Sequence, residues 1–190
     1  MLMKLIIDAP FNKVTYSNDL FEIAEYDTCV FNSCNFSRTT LSKSVFTNCE
    51  FINCYFQSPT ITNTSFREVI FQECTLLGMQ FENCNAFLFE ISLESSILQV
   101  CSFFKMNLKN SKFNNSKLID VDFTSSNLTA VCFNSCDLSQ SIFENTNLEK
   151  TDFTTAVNFS IHPENNKLNK TKFSNDNLSG LLNEYDLDII

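Results

Sequence analysis

Residues 103–153 read FFKMNLKNSKFNNSKLIDVDFTSSNLTAVCFNSCDLSQSIFENTNLEKTDF, and a large apolar side chain stands at every fifth place: Phe103, Leu108, Phe113, Leu118, Phe123, Leu128, Phe133, Leu138, Phe143, Leu148 and Phe153. Toward the N-terminus the same rhythm runs from Phe11 and Tyr16 through Phe46 and Phe66 to Phe81, slips by two residues, and resumes at Leu88, Leu93 and Leu98. Steps of five turn an α-helix by about 140°, which scatters such side chains around the axis. In a continuous strand, positions five apart fall on opposite faces. A short strand followed by a corner, repeated, satisfies the pattern. Taking the large residue as the centre of each unit, the place two before it holds a slim side chain, as at Cys29, Cys34, Ser44, Cys54, Thr64, Ser111, Val121, Ser126 and Thr146. Both places are expected to point inward. The three intervening places are mostly Asn, Asp, Lys, Ser, Thr or Glu and are expected to face water.

The segments Met106-Asn107-Leu108, Val121-Asp122-Phe123, Ser126-Asn127-Leu128, Cys136-Asp137-Leu138, Thr146-Asn147-Leu148 and Thr151-Asp152-Phe153 resemble the A(D/N)LxX unit of pentapeptide-repeat proteins. That resemblance implies an all-β fold, a right-handed quadrilateral β-helix with four pentads per coil, in which residues twenty apart are neighbours. The strict alternation of Phe and Leu after Phe103 then places Phe on one opposed pair of sides and Leu on the other. Core volume is thereby held constant from coil to coil, as close packing requires. The expected organisation is one domain over 1–190, with an N-terminal cap at 1–10, coils over 11–155, and a C-terminal cap and dimerisation segment over 156–190. Asp176 is expected to cap a short helix through Leu178, Leu181, Leu182 and Tyr185, with Gly180 weakening it, and the terminal LDII has strand character.

The chain has nine cysteines, and seven of them (Cys29, Cys34, Cys49, Cys54, Cys74, Cys101 and Cys136) occupy the slim inward place, where a thiol acts as a compact hydrophobe. Intervals of five and twenty are not those of a zinc site, and an odd count is awkward for a disulfide framework. No metal and no cofactor is expected. His162 is the single histidine and reads as a turn residue near the end of the rod. Nothing resembles a catalytic constellation, and the reading is of a protein that is not an enzyme. The segment MLMKLIIDAP lacks the features of a signal peptide, no apolar run reaches membrane-spanning length, and the expected location is cytoplasmic.

Acidic residues outnumber basic ones by 22 to 13, so direct nucleic-acid binding is not expected. The segment around SIHPENNKLNKTKFS and GLLNEYDLDII looks like the C-terminal cap of the Qnr, MfpA and McbG group. That resemblance implies a homodimer through Leu178, Leu181, Leu182 and Tyr185. It also implies DNA gyrase or topoisomerase IV as partner, engaged through mimicry of DNA and giving resistance or immunity to topoisomerase-directed agents. The alternative is a scaffold rod with an unrelated partner. Projecting loops like those of quinolone-protecting Qnr proteins are replaced here by the two-residue slip within 82–88, which is closer to the loopless MfpA and McbG type. Asp120, Asp122, Asp137, Glu144, Glu149 and Asp152 form the candidate partner-binding band, and Lys105, Lys109, Lys112 and Lys117 precede it as a basic cluster.

Overall fold

The computed structural model describes residues 3–16, 20–185 and 187, with the side chain of Glu184 outside that set. In nearly every five-residue unit the central side chain points inward and the residue two places later turns the corner with a positive φ, as at Ser33 (55°), Glu73 (54°), Val100 (54°) and Ser125 (59°). Gly78 is the one glycine among these described corners. Corner residues hold this conformation because their N–H groups donate to the next coil. Ser33 reaches Ile52 O at 2.8 Å, and Val100 reaches Ile119 O at 3.1 Å.

Stacking the units builds three parallel sheets. A four-stranded sheet containing β1 (Leu5–Ile7) and β3 (Glu25–Asp27) makes the first side, a seven-stranded sheet beginning at β2 (Pro10–Asn12) makes the second, and a four-stranded sheet from Tyr55–Gln57 to Lys117–Ile119 makes the third. The fourth side is held by isolated bridges such as Thr40↔Thr60, Ser102↔Asp122 and Asp122↔Ile142. Register partners are twenty residues apart, as in Phe31↔Phe51. Across the slip the interval grows by two, Phe71 pairing Leu93 and Leu76 pairing Leu98. One coil therefore absorbs the whole insertion. The result is a right-handed four-sided β-helix.

The interior is a column of rings and aliphatic side chains. On the second side Phe11, Phe31, Phe51 and Phe71 stack at 4.6, 4.8 and 5.2 Å. On the fourth, Phe103, Phe123 and Phe143 stack at 5.4 and 5.2 Å. Rings from the two sides meet edge to face, Phe123 and Phe133 at 5.8 Å and 76°, the geometry that aromatic quadrupoles favour. From Phe103 on, Phe fills the second and fourth sides and Leu the other two, as the alternation predicts.

The slim inward places do more than save space. Their side chains donate to the carbonyl of the centre in the preceding coil: Cys54 Sγ to Phe31 O, Cys74 Sγ to Phe51 O, Ser141 Oγ to Leu118 O and Thr146 Oγ1 to Phe123 O, at 2.8–3.2 Å. A buried hydroxyl or thiol thus satisfies itself and a buried acceptor together. The Ser44 and Ser126 hydroxyls occupy the same place with no hydrogen-bond partner.

Four expectations need correction. Leu88 is not a core centre: it turns a corner at φ 58° and is 63% exposed, while Phe89 fills the interior against Phe66 and Phe81. Two inserted residues break the phase locally, and the larger apolar ring takes the vacant volume. The ladder also runs beyond 11–155, since β1 pairs β3 and the bridges Asn147↔Lys167 and Asp152↔Lys172 continue it. At the C-terminal end, a 3₁₀ helix over Asn175–Leu181 starts from Ser174, not Asp176, with Asn177 Oδ1 accepting from Ser174 N at 3.0 Å. Gly180 is no weak point, because a Cβ there would run into the Phe159 ring. Of the terminal LDII, residues 188–190 lie outside the described residues, and Leu187 is in no strand.

Candidate interaction surface

The repeated Asp or Asn immediately before the centre has a backbone task. Asp122, Asn127, Asp137, Asn147 and Asp152 each accept, through Oδ1, the N–H two residues on, from Thr124, Thr129, Ser139, Glu149 and Thr154 at 2.8–3.2 Å. The turn then closes when the N–H three after the centre donates to the centre's carbonyl, as Ser126 N does to Phe123 O at 3.0 Å. At Val45, Tyr55, Ile97 and Lys117, where this place holds a branched, aromatic or long side chain instead, the unit is a three-residue strand, whereas Ile142 and Lys172 make only isolated bridges. Short carboxylates and carboxamides offer the backbone a local partner, whereas branched and long side chains leave it to the sheet. Three of the six candidate carboxylates are therefore turn-forming groups first.

The coil distributes the candidate band around the rod. Asp120 turns the corner between the third and fourth sides. Asp122 and Glu144 lie on the fourth, Asp137 on the third, Glu149 on the first and Asp152 on the second. Lys105, Lys109, Lys112 and Lys117 likewise take one side each, so the basic cluster is a belt. What gathers acids in space is the fourth side: Glu82, Asp120 and Asp122 border a shallow depression of about 300 Å³ floored by Val100, Ser102 and Phe104. Glu82 lies outside the candidate band, and counting twenty-two back through Phe104 finds it. Lys105 lies at the rim, its Nζ 4.7 Å from the centre of the Phe104 ring.

The remaining carboxylates are held by structure. Partial burial pushes the Asp137 carboxyl up, but hydrogen bonds from Ser139 and Asn158 and the nearby Lys117 charge outweigh it and hold the group below its usual range. Asp152 is likewise raised by burial and lowered further by Thr154 and by Lys172, whose Nζ lies 3.0 Å away. Glu144 and Glu149 accept from Asn165 and Asn169 of the next coil at 3.2 and 3.1 Å.

The seven cysteines of the inward place are buried. Burial pushes Cys49 up to about 12 and Cys101 and Cys136 up to about 11, which suppresses the thiolate. Cys132 faces out and is exposed. Among the described residues no group of His, Cys, Asp and Glu has the arrangement of a metal site. His162 serves a turn, its Nδ1 accepting from Glu164 N at 3.3 Å at the start of the 3₁₀ helix Pro163–Asn165.

The C-terminal end is closed by its own chain. Asn177 Nδ2 donates to Phe153 O and Ala156 O at 2.7 and 3.1 Å, and Asn166 Nδ2 to Phe143 O at 2.7 Å. Leu181 packs half-buried against the core, while Leu178, Leu182 and Tyr185 stay exposed.

A four-sided parallel β-helix with a filled interior and its polar chemistry on the outer faces defines a repeat solenoid. The chain belongs to the pentapeptide-repeat family, whose model matches eight copies over residues 49–85, 101–140 and 132–160. No curated protein matches the chain. Among solved structures it is similar to a trypsin-treated form of QnrB1, a plasmid-mediated fluoroquinolone resistance protein, at 14% identity and TM-score 0.55, covering 100% of both chains. It is also similar to HetL, a pentapeptide-repeat protein involved in heterocyst differentiation regulation from the cyanobacterium Nostoc sp. strain PCC 7120, at 13% identity and TM-score 0.52, covering 90% of this chain and 87% of that one. At these identities the likeness is one of fold.

Proposed function

We propose that this rod is a non-catalytic protein ligand that binds a type II DNA topoisomerase, gyrase or topoisomerase IV, in place of DNA, and so gives resistance or immunity to agents directed at that enzyme. The observation that carries the reading is the acidic fourth side, where Glu82, Asp120, Asp122 and Glu144 follow one another along a solenoid of net charge −9. A basic DNA-binding groove attracts such a line of charge by the same forces that draw it to phosphate. Lys109, Lys112 and Lys117 weaken that attraction on the other three sides, and on the fourth Lys105 stands alone at the rim against Glu82, Asp120 and Asp122, which supports the fourth as the contact face.

The test uses substitutions that remove charge and keep the turns: Asp120→Asn, Asp122→Asn and Glu144→Gln together, against Asp137→Asn, Glu149→Gln and Asp152→Asn as a matched control. Asparagine already serves as the turn acceptor at Asn127 and Asn147. The expected result is binding of DNA-free topoisomerase that weakens steeply with salt, competes with duplex DNA, and falls about tenfold or more in the first triple variant but little in the second. Equal loss in both removes the fourth-side assignment. No binding of the wild type to either topoisomerase at low salt removes the proposal.

A further inference from the structure

The two ends of the rod are finished differently. The C-terminal end is covered by its own 3₁₀ helix, with Gly180 pressed onto Phe159. At the other end Ile6, Phe11 and Tyr16, three of the four centres of the first coil, are only half-buried, whereas Phe21, the fourth, and Tyr26, Phe31 and Phe36 directly above them are buried. Around them Met3, Leu5, Ile7, Leu20 and Ile23 are 43–67% exposed. Such an end presents an unpaired strand edge together with apolar core.

The free edge of β1 has a definite polarity. Lys4 O accepts from Glu25 N at 2.8 Å and Asp8 N donates to Asp27 O at 3.0 Å, so the backbone groups of the even-numbered residues turn toward β3. By alternation those of Leu5 and Ile7 point away from it. Among the described residues no strand pairs that edge.

We infer that the N-terminal end is a self-association surface, on which β1 of one copy pairs antiparallel with β1 of a second copy about a twofold axis through Ile6. Turning one rod end over end reverses the sense in which its chain circulates, so facing strands run antiparallel. In the register centred on Ile6, Leu5 and Ile7 of the partner copy become a hydrogen-bonded pair through their free backbone groups, with their apolar side chains adjacent. The next pair outward is Lys4 with Asp8 of the second copy, which places opposite charges together at both rims. A second copy also presents the same square outline and the same open layer of rings. The contact is small, so the association is concentration-dependent.

Sedimentation equilibrium or light scattering on the full chain over a range of concentrations tests this. The wild-type mass should rise from 21.8 kDa toward twice that value. Lys4→Asp and Asp8→Lys should each hold the protein monomeric, because each sets like charges opposite one another. Mixing the two variants should restore a dimer, and so should the double exchange in one chain. Lysine fits the corner at residue 8, since Lys13 and Lys105 occupy equivalent corners at φ 54° and 59°. Leu182→Asp, on the exposed surface of the cap, should leave the mass unchanged. A wild type that stays monomeric throughout overturns the inference, as do a dimer lost only through Leu182→Asp and a failure of the mixed variants to associate when both are folded by circular dichroism.

Discussion

A left-handed backbone at nearly every fifth residue is the main local strain in this chain, and it falls on residues of unequal tolerance. Asn adopts such φ values readily because its short side chain finds local partners, whereas a β-branched residue meets its own backbone. Val100 is the clearest misfit, at φ 54° with 48% of its surface exposed. Val100→Gly should therefore stabilise the fold by about 0.5–1 kcal/mol, the relief of strain exceeding the extra freedom of glycine in the unfolded chain. At Asn115, also exposed and at φ 48°, substitution by glycine should change stability by less than about 0.5 kcal/mol. Paired urea titrations measure both, and a destabilised Val100→Gly would show that the valine side chain contributes more by packing than its exposure implies.

At the scale of the element, the sequence reveals which residues point inward far better than how each side is built. The five-residue period assigns the centres because core volume must repeat from coil to coil, and the alternation after Phe103 fixes the pairing of sides for the same reason. Whether a side forms a strand or a tight turn is written in part in the residue before the centre, a weaker signal that becomes readable once Asp122 or Asn147 is seen capping its own turn. The exchange of Leu88 for Phe89 was not legible, because two inserted residues leave several phases open and only packing against Phe66 and Phe81 selects one. The cap is illegible for a related reason: propensity treats Gly180 as a helix breaker, while the fold needs its missing Cβ. Gly180→Ala should cost about 1–3 kcal/mol by driving a methyl into Phe159. The loss should appear as faster amide exchange in 153–181 with the ladder from Tyr26 to Phe123 unchanged, and an even loss along the rod would mean that cap and coils unfold as one unit.

For the whole molecule, a coil of twenty residues converts a run of charge in the sequence into a belt and gathers on one side charges that are far apart in the chain. This is why the six candidate carboxylates were legible as acidic residues but not as a surface, and why Glu82 joins Asp120 and Asp122 across an interval of about two coils. The same nearest-neighbour construction governs stability. Each coil is held mainly by the coils directly above and below it, so opening can begin at an end and need not involve the centre. The two ends are unequal, since Asn177 and the 3₁₀ helix seal the last coil while Ile6, Phe11 and Tyr16 remain half-buried in the first. Native-state hydrogen exchange should therefore show protection rising from residues 5–16 through 25–36 to a plateau over 45–150, with a shallower fall toward Lys172. Phe11→Ala should speed exchange only in the first two coils, whereas Phe113→Ala, with stacked neighbours on both sides, should cost about 3–5 kcal/mol globally. Equal protection at both ends at low protein concentration would show that the open coil is held by something other than burial of its own centres.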